Sequence, residues 1–176
     1  MSWRQAGAWV GVFALLAAAS LKLIDGPPRA GGEAPSPAAG RERKARVLRA
    51  VDGDTIVARD DDGRVERVRY IGVDTPESVK PGVPVQCYAE RASEFNRRLV
   101  EGREVTLVPD REAHDKYGRS LAYVYLGDTM VEALELERGL ARTFEFPPNT
   151  RHAGYFAALE QRAIRTGRGL WKACGR

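Results

Sequence analysis

Between Ala45 and Val51 apolar positions alternate with Arg46 and Arg49, the period-two pattern of a half-buried strand. Asp52-Gly53-Asp54 is turn chemistry, and Thr55 to Arg59 reads as a second strand. Asp60 to Gly63 is an acidic hairpin loop ending in glycine. A third strand runs from Val65 to Val73. Val65, Arg67, Arg69 and Ile71 share one of its faces, and Val68 and Tyr70 the other. Pro76 stops regular structure, and the prolines and glycine of Ser78 to Val85 make that stretch a loop. From Cys87 to Glu101 the period turns helical, with Tyr88, Ala92, Phe95 and Leu99 on one face and Gly102 as the stop. Strands follow at Glu104 to Val108 and Leu121 to Leu126, joined by a charged loop from Pro109 to Arg119. Met130 to Arg138 is a short helix closed by Gly139, and Leu140 to Phe144 a last short strand. A final helix spans Arg151 to Thr166, with Tyr155, Phe156, Leu159 and Ala163 turned inward.

This order predicts an α+β domain over residues 43–176: a five-stranded OB-type Greek-key β-barrel with three helices. What precedes it is different. Residues 1–24 hold an uncharged run, Gln5 to Leu21, between Arg4 and Lys22. A basic residue before a short apolar run is an export signal, and Ala17 and Ala19 offer a small-residue cleavage site. The run also sits at the lower limit for a membrane-spanning helix, so an uncleaved N-terminal anchor is the other reading. Residues 25–42 are rich in Pro, Gly, Ala and Ser without apolar period, as in a flexible linker.

Composition narrows the class. Of 176 residues, 43% are hydrophobic and 30% charged, which excludes a polytopic membrane protein and a wholly disordered chain. Lys and Arg number 28 against 24 Asp and Glu, a net charge of +4 that suits a polyanionic partner without demanding one. Two cysteines and the distant His114 and His152 do not make a structural zinc site.

The candidate chemistry lies in carboxylates and arginines. Asp54 starts the second strand and Asp74 ends the third, so antiparallel pairing of those strands would set them side by side. Pro76 holds Thr75 extended, which keeps Asp74 and Glu77 on a loop. Carboxylates so gathered repel, and a hard divalent cation with oxygen ligands relieves the repulsion. Solvated loop acids are the simpler alternative. Arg69 lies among apolar residues and Arg119 at the start of a strand. Two guanidinium forks, a metal ion and a carboxylate that acts on water are the parts needed to hydrolyse a phosphodiester. Ordinary ion pairs with neighbouring acids are the alternative for both arginines.

Three segments, VDGDT (Val51 to Thr55), RYIGVDTPE (Arg69 to Glu77) and DKYGRSLAYVY (Asp115 to Tyr125), resemble motifs of the thermonuclease, or staphylococcal nuclease-like, family in order and spacing. The resemblance continues through ALELERGLAR (Ala133 to Arg142) to GRGLW (Gly167 to Trp171). It implies the same barrel and a Ca2+-dependent nuclease acting on DNA and RNA, which breaks the P–O5′ bond and leaves 3′-phosphate ends. It implies Asp54, Asp74 and the Thr75 carbonyl as calcium ligands, and Glu77 as general base. Arg69 and Arg119 would hold the scissile phosphate, and Lys116 and Tyr117 the terminal phosphate of a bound nucleotide. Where the type member has a pair of tyrosines near the base, this chain has Phe144 and Phe146, which can stack but offer no hydroxyl.

A catalytically silent nucleic-acid-binding barrel is the alternative function. It should lack one or more of Asp54, Arg69, Glu77 and Arg119, and all four are present. A surface adhesion domain has only the linker in its favour. The leader predicts an exported protein, periplasmic or extracellular, acting as a monomer without an obligate protein partner. In an oxidising compartment Cys87 and Cys174 are expected to form a disulfide.

Overall fold

The computed structural model describes residues 42–78, 82 and 84–174. The expected leader, 1–24, and all but the last residue of the expected linker, 25–42, lie outside the described residues, as does part of the loop after Ser78.

Strands β1 (Arg43–Ala50), β2 (Thr55–Asp60) and β3 (Val65–Tyr70) form an antiparallel meander. β5 (Glu104–Val108) pairs antiparallel with β1, and β6 (Ser120–Leu126) with β5. A parallel pairing of β6 with β3 closes the five strands into a barrel, as the sequence predicts. Its interior follows the period-two pattern: Ala45 and Val47 from β1, Ile56 and Ala58 from β2, and Val68 and Tyr70 from β3 are buried. In β1 the register slips between Val47 and Arg49, a bulge that leaves Leu48 exposed. β6 is buried on both faces, because Tyr123 also packs outward against His152 and Phe156 of the last helix region.

The third strand is shorter than the sequence predicts. It ends at Tyr70, and Gly72, at φ +84°, turns the chain into a separate strand β4 (Val73–Asp74). There β4 pairs with β8 (Arg142–Thr143), which is itself shorter than the expected Leu140 to Phe144. A side chain on Gly72 would meet the Phe156 ring at 2.5 Å, so glycine also admits the close approach of the last long helix.

Helix α1 (Ala89–Val100) buries Ala89, Ala92, Asn96 and Val100, a stripe turned from the predicted Tyr88, Ala92, Phe95 and Leu99. A polar residue misdirects the reading. Asn96 faces inward because its amide donates to the Asp52 carbonyl and its oxygen accepts from the Tyr70 hydroxyl. Phe95 lies instead beneath the Arg138 guanidinium, 4.8 Å from its ring centre. A two-residue strand β7 (Thr129–Met130) leads into α2 (Val131–Arg138), and α3 (Ala153–Arg165) buries Phe156 and Ala163 with Tyr155 and Leu159 at its margin. A fourth, single-turn helix, α4 (Leu170–Ala173), is not predicted by the sequence. It is docked by close backbone contact: the Leu170 amide donates to the Gly139 carbonyl at 2.8 Å. Cys87, at the start of α1, and Cys174, just past α4, are joined by a disulfide with Cα atoms 5.7 Å apart. Among the described residues no helix is long and apolar enough to cross a membrane.

Candidate active site

Where β2 begins, the chain makes a tight turn in which the Asp54 amide donates to the Asp52 carboxylate. This aims the Asp54 side chain into the protein, where only 6% of the residue is exposed. One Asp54 oxygen, Oδ2, accepts from the amide and the hydroxyl of Thr75, at 2.8 and 2.9 Å. The other, Oδ1, accepts from the Thr55 hydroxyl and lies 3.2 Å from Arg69 Nε. Thr75 is thereby tied to Asp54 across the turn at Gly72.

Arg69 projects from β3 and binds on three sides. Nε reaches Asp54, Nη1 donates to the carbonyls of Tyr70 and Val73, and Nη2 lies 3.0 Å from Asp74 Oδ1. Asp54 and Asp74 therefore meet through the guanidinium and not through pairing of their strands. β2 sets Thr55 against Arg69, whereas Asp74 sits on β4 opposite Arg142. The expected juxtaposition holds, but the break after Tyr70 and the arginine produce it.

Arg119 is held by Asp115. The Asp115 carboxylate accepts the amides of Tyr117 and Arg119, both at 2.9 Å, and Arg119 Nε at 2.6 Å. Burial pushes the Asp115 carboxyl up, but the Arg119 and Tyr117 bonds outweigh it and leave it below its usual range. Both arginines thus make the ion pairs that the sequence left open as an alternative, and both also line an open cleft.

That cleft, about 320 Å³, brings together Arg69, Asp74, Glu77, Tyr117, Arg119, Phe144 and Phe146. Asp54 stands behind Arg69. Thr75 lines an adjoining hollow of about 200 Å³ with Asp74 and the disulfide. Lys116 is outside the cleft wall, its Nζ 5.1 Å from the Tyr117 ring. Phe144 and Phe146 are exposed, with ring centres 6.3 Å apart and planes 31° from parallel, an apolar lip on the cleft.

Several supporting residues escaped the sequence reading. Gln86 clamps Glu77 from the main chain, its side-chain oxygen accepting the Glu77 amide and its own amide donating to the Glu77 carbonyl. Asn149, buried, exchanges two bonds with the Glu112 backbone and donates its amide to the Phe146 carbonyl. It ties the loop before Arg119 to the loop that carries the phenylalanines. Neither residue has a local signal. Asp115 does have one, since an Asp two residues before a Tyr-Gly turn is a natural acceptor for the turn amides.

Asp52 and Asp74 resist ionisation. Burial, then the Asp54 charge, pushes Asp52 up to about 6 despite the Asp54 amide and Arg69. Burial likewise raises Asp74; Arg69 opposes this, and Asp54 and Glu77 add to it. A bound cation would relieve this crowding. Among the described residues no three His, Cys, Asp or Glu side chains gather closely enough to hold one alone. Two carboxylates and a main-chain carbonyl are nevertheless an all-oxygen donor set, the chemistry a hard divalent ion takes.

A family model described as staphylococcal nuclease homologue matches residues 67–173. The chain belongs to the staphylococcal nuclease family. It is 46% identical over 126 residues to the thermonuclease of Staphylococcus intermedius, covering 72% of this chain and 74% of the relative. It is 40% identical over 130 residues to the thermonuclease of Staphylococcus hyicus, covering 74% and 76%. The SPbeta prophage-derived endonuclease YokF of Bacillus subtilis (strain 168) is 43% identical over 129 residues, or 72% of this chain and 43% of that one. Membership makes the chain a nuclease, a hydrolase of phosphodiesters, in a family that generally depends on a metal ion. The closed barrel with its helices is the OB-type α+β fold of that family.

Proposed function

We propose that this nuclease is calcium-dependent, cuts both DNA and RNA at the P–O5′ bond, and leaves 3′-phosphate ends. The observation that carries the reading is the meeting of Arg69, Asp74 and Glu77 with the distant Arg119 in one cleft, from two separate parts of the chain. Asp54, Asp74 and the Thr75 carbonyl would hold the calcium ion, which when bound supplies positive charge beside a phosphate oxygen.

The side chains divide the remaining work. Arg69 and Arg119 are each anchored by an acid through Nε, which pre-orients both guanidinium groups before substrate arrives. They hold the scissile phosphate and balance the charge that grows on its oxygens. Glu77, fixed by Gln86, accepts a proton from the attacking water as oxygen bonds to phosphorus. The P–O5′ bond breaks, the O5′ leaving group takes up a proton from solvent, and the phosphate stays on the 3′ oxygen. Phe144 and Phe146 offer faces on which a base can stack, without the hydroxyls that would read its edge. Lys116 and Tyr117, beside Arg119, would contact the terminal phosphate of a bound nucleotide. The reading includes export to the periplasm or beyond, as a monomer either freed from or held by the N-terminal segment. The Cys87–Cys174 bond supports this, because such bonds persist in oxidising compartments.

Digestion of end-labelled DNA and RNA oligonucleotides with calcium, with and without a chelator, tests the reading. Cleavage of both that stops in the chelator and leaves 3′-phosphates is the expected result. Full activity in excess chelator, or 5′-phosphate products, would refute it.

A further inference from the structure

The outer wall of the barrel beside the cleft is paved with arginine. On β1, β2 and β3 the inward residues are apolar, so alternate residues must face outward. Arg46 on β1 lies directly opposite Arg59 on β2, and Arg59 opposite Val65 on β3. One row nearer the cleft, Arg49, Val57 and Arg67 are aligned across the same three strands. The next row brings Thr55 against Arg69, the cleft arginine itself. Arg46, Arg49, Arg59 and Arg67 are all exposed.

Like charges directly opposite one another weaken a sheet. Here no acid on the wall offsets them. Among the described residues no ion pair engages Arg46, Arg49, Arg59 or Arg67, while Arg43, Lys44, Arg69 and Arg119 each have an acidic partner. The bordering acids are committed elsewhere. Glu104, beside Arg46, binds Lys44; Glu66 binds Arg43 and the Ser120 hydroxyl; Asp60 accepts the Arg64 amide in the hairpin loop. A second observation joins this wall to the cleft. A groove of about 750 Å³, lined by Val65, Glu66, Arg67, Glu77, Tyr117, Gly118 and Arg119, runs from the catalytic carboxylate to the first exposed arginine, and its Glu66 carboxylate is taken up by Arg43 and Ser120.

We propose that this wall is a secondary binding surface for the sugar-phosphate backbone of a single-stranded nucleic acid. A strand whose scissile phosphate lies between Arg69 and Arg119 leaves the cleft along the groove to Arg67. It then crosses Arg49, Arg59 and Arg46. Adjacent strands are about 4.8 Å apart and alternate residues about 7 Å, so the four arginines span a patch of roughly 10 by 7 Å. Neighbouring phosphates of an extended single strand lie about 6 Å apart, roughly twice the 3.4 Å axial rise per strand of a duplex, so about two to three fit along the roughly 12 Å diagonal of the patch. The surface favours long substrates over short ones and reads no sequence, because it meets only the backbone. The proposal rests on the nuclease reading above for what enters the cleft, but the wall binds its ligand without chemistry.

The test replaces all four residues, Arg46→Thr, Arg49→Thr, Arg59→Thr and Arg67→Thr, with a side chain suited to strands. Circular dichroism and the urea midpoint establish that the variant folds. A control removes the same charge elsewhere: Arg91→Gln, Arg98→Gln, Arg162→Gln and Arg165→Gln, on α1 and α3. Binding of a fluorescent twenty-residue single strand is measured in chelator from about 50 to 200 mM salt, where a slope of roughly 0.7 per phosphate contact applies. Loss of two to three contacts should flatten the slope by about 1.4–2 and weaken binding about 25- to 100-fold near 0.1 M salt. Cleavage of a dinucleotide with calcium should stay within about twofold of the parent, since the cleft is untouched. The control should keep the parent's slope. An unchanged slope in the four-threonine variant, an equal loss in the control, or an equal loss on the dinucleotide would overturn the proposal. So would a variant that keeps its nucleic-acid affinity but no longer binds vesicles of phosphatidylglycerol, which would assign the wall to a lipid surface. If the parent protein cuts neither the dinucleotide nor the twenty-residue strand with calcium, the proposed function fails, and the binding arm still decides the role of the wall.

Discussion

Replacing Glu135 with methionine should stabilise this protein, and more so as pH rises. Glu132 and Glu135 both point from α2 into the core, and both are fully buried. Glu132 accepts the Val124 amide through one oxygen. Its other oxygen and both oxygens of Glu135 have no hydrogen-bond partner among the described residues. Burial drives both carboxyls up. Glu132 rises to about 8, and Glu135 goes well above its usual 4.5, pushed further by Glu132 and Asp54 and only partly eased by Arg69. A raised pKa means that the folded state binds a proton the unfolded chain has released. The associated stability is intact below about pH 4.5 and drains away as pH climbs toward the folded value. For Glu135 the loss near pH 7 is at most about 3 kcal/mol, the limit set by its ionisation in the unfolded chain. Near pH 5 it is below about 1 kcal/mol. Methionine has similar length and no charge to lose, so Glu135→Met should recover that difference. With a urea slope of about 2 kcal/mol/M, the midpoint should move up by as much as 1.5 M, roughly, near pH 7 and by under about 0.5 M near pH 5. A variant less stable than the parent at both pH values, or a gain equal at both, would refute the reasoning. The first would mean that Glu135 is ionised and paired in the folded protein, the second that it ionises alike in the folded and unfolded states.

Arg119→Ala and Arg69→Ala should each lower turnover about 10²–10³-fold, the worth of one transition-state contact in a sheltered site. Arg69→Lys should also be slow, since an ammonium cannot bridge Asp54, Asp74 and a phosphate at once; near-normal rates in single-turnover assays would exclude the fork. Glu77→Gln should slow the chemical step while nucleotide affinity holds. If calorimetry shows that the variant is inactive because it no longer takes up calcium, Glu77 is a ligand and not the base. Reducing the Cys87–Cys174 bond frees a loop of 87 residues and should cost up to about 4–5 kcal/mol, read from the denaturation midpoint with and without reductant.

The barrel was legible in the sequence because its determinant is local. A strand with one wet face must alternate, and β1, β2 and β3 do so; β5 and β6 are short apolar runs between loops. The turn at Asp52-Gly53-Asp54 was legible too, since it depends on a few neighbours, whereas the residues around Asp115 came in only through the family resemblance. The tertiary structure alone decided what depends on distant chain. Gly72 breaks the third strand through its positive φ, and only the folded chain brings Phe156 of α3 close enough to forbid a side chain there. Asn96 could occupy the buried face of α1 only because Asp52 and Tyr70 wait there with the bonds that an amide needs. The two buried glutamates look like surface residues of an ordinary helix in one dimension, and their cost appears only once a barrel covers them. Asp54, Asp74 and Arg69 carry the charges that define the site, but their mutual geometry is set by the break after Tyr70, by Thr75 reaching back to Asp54, and by one guanidinium between two acids. Hydrophobic period is a property of neighbours in sequence, whereas the partner of a buried polar group is a property of neighbours in space.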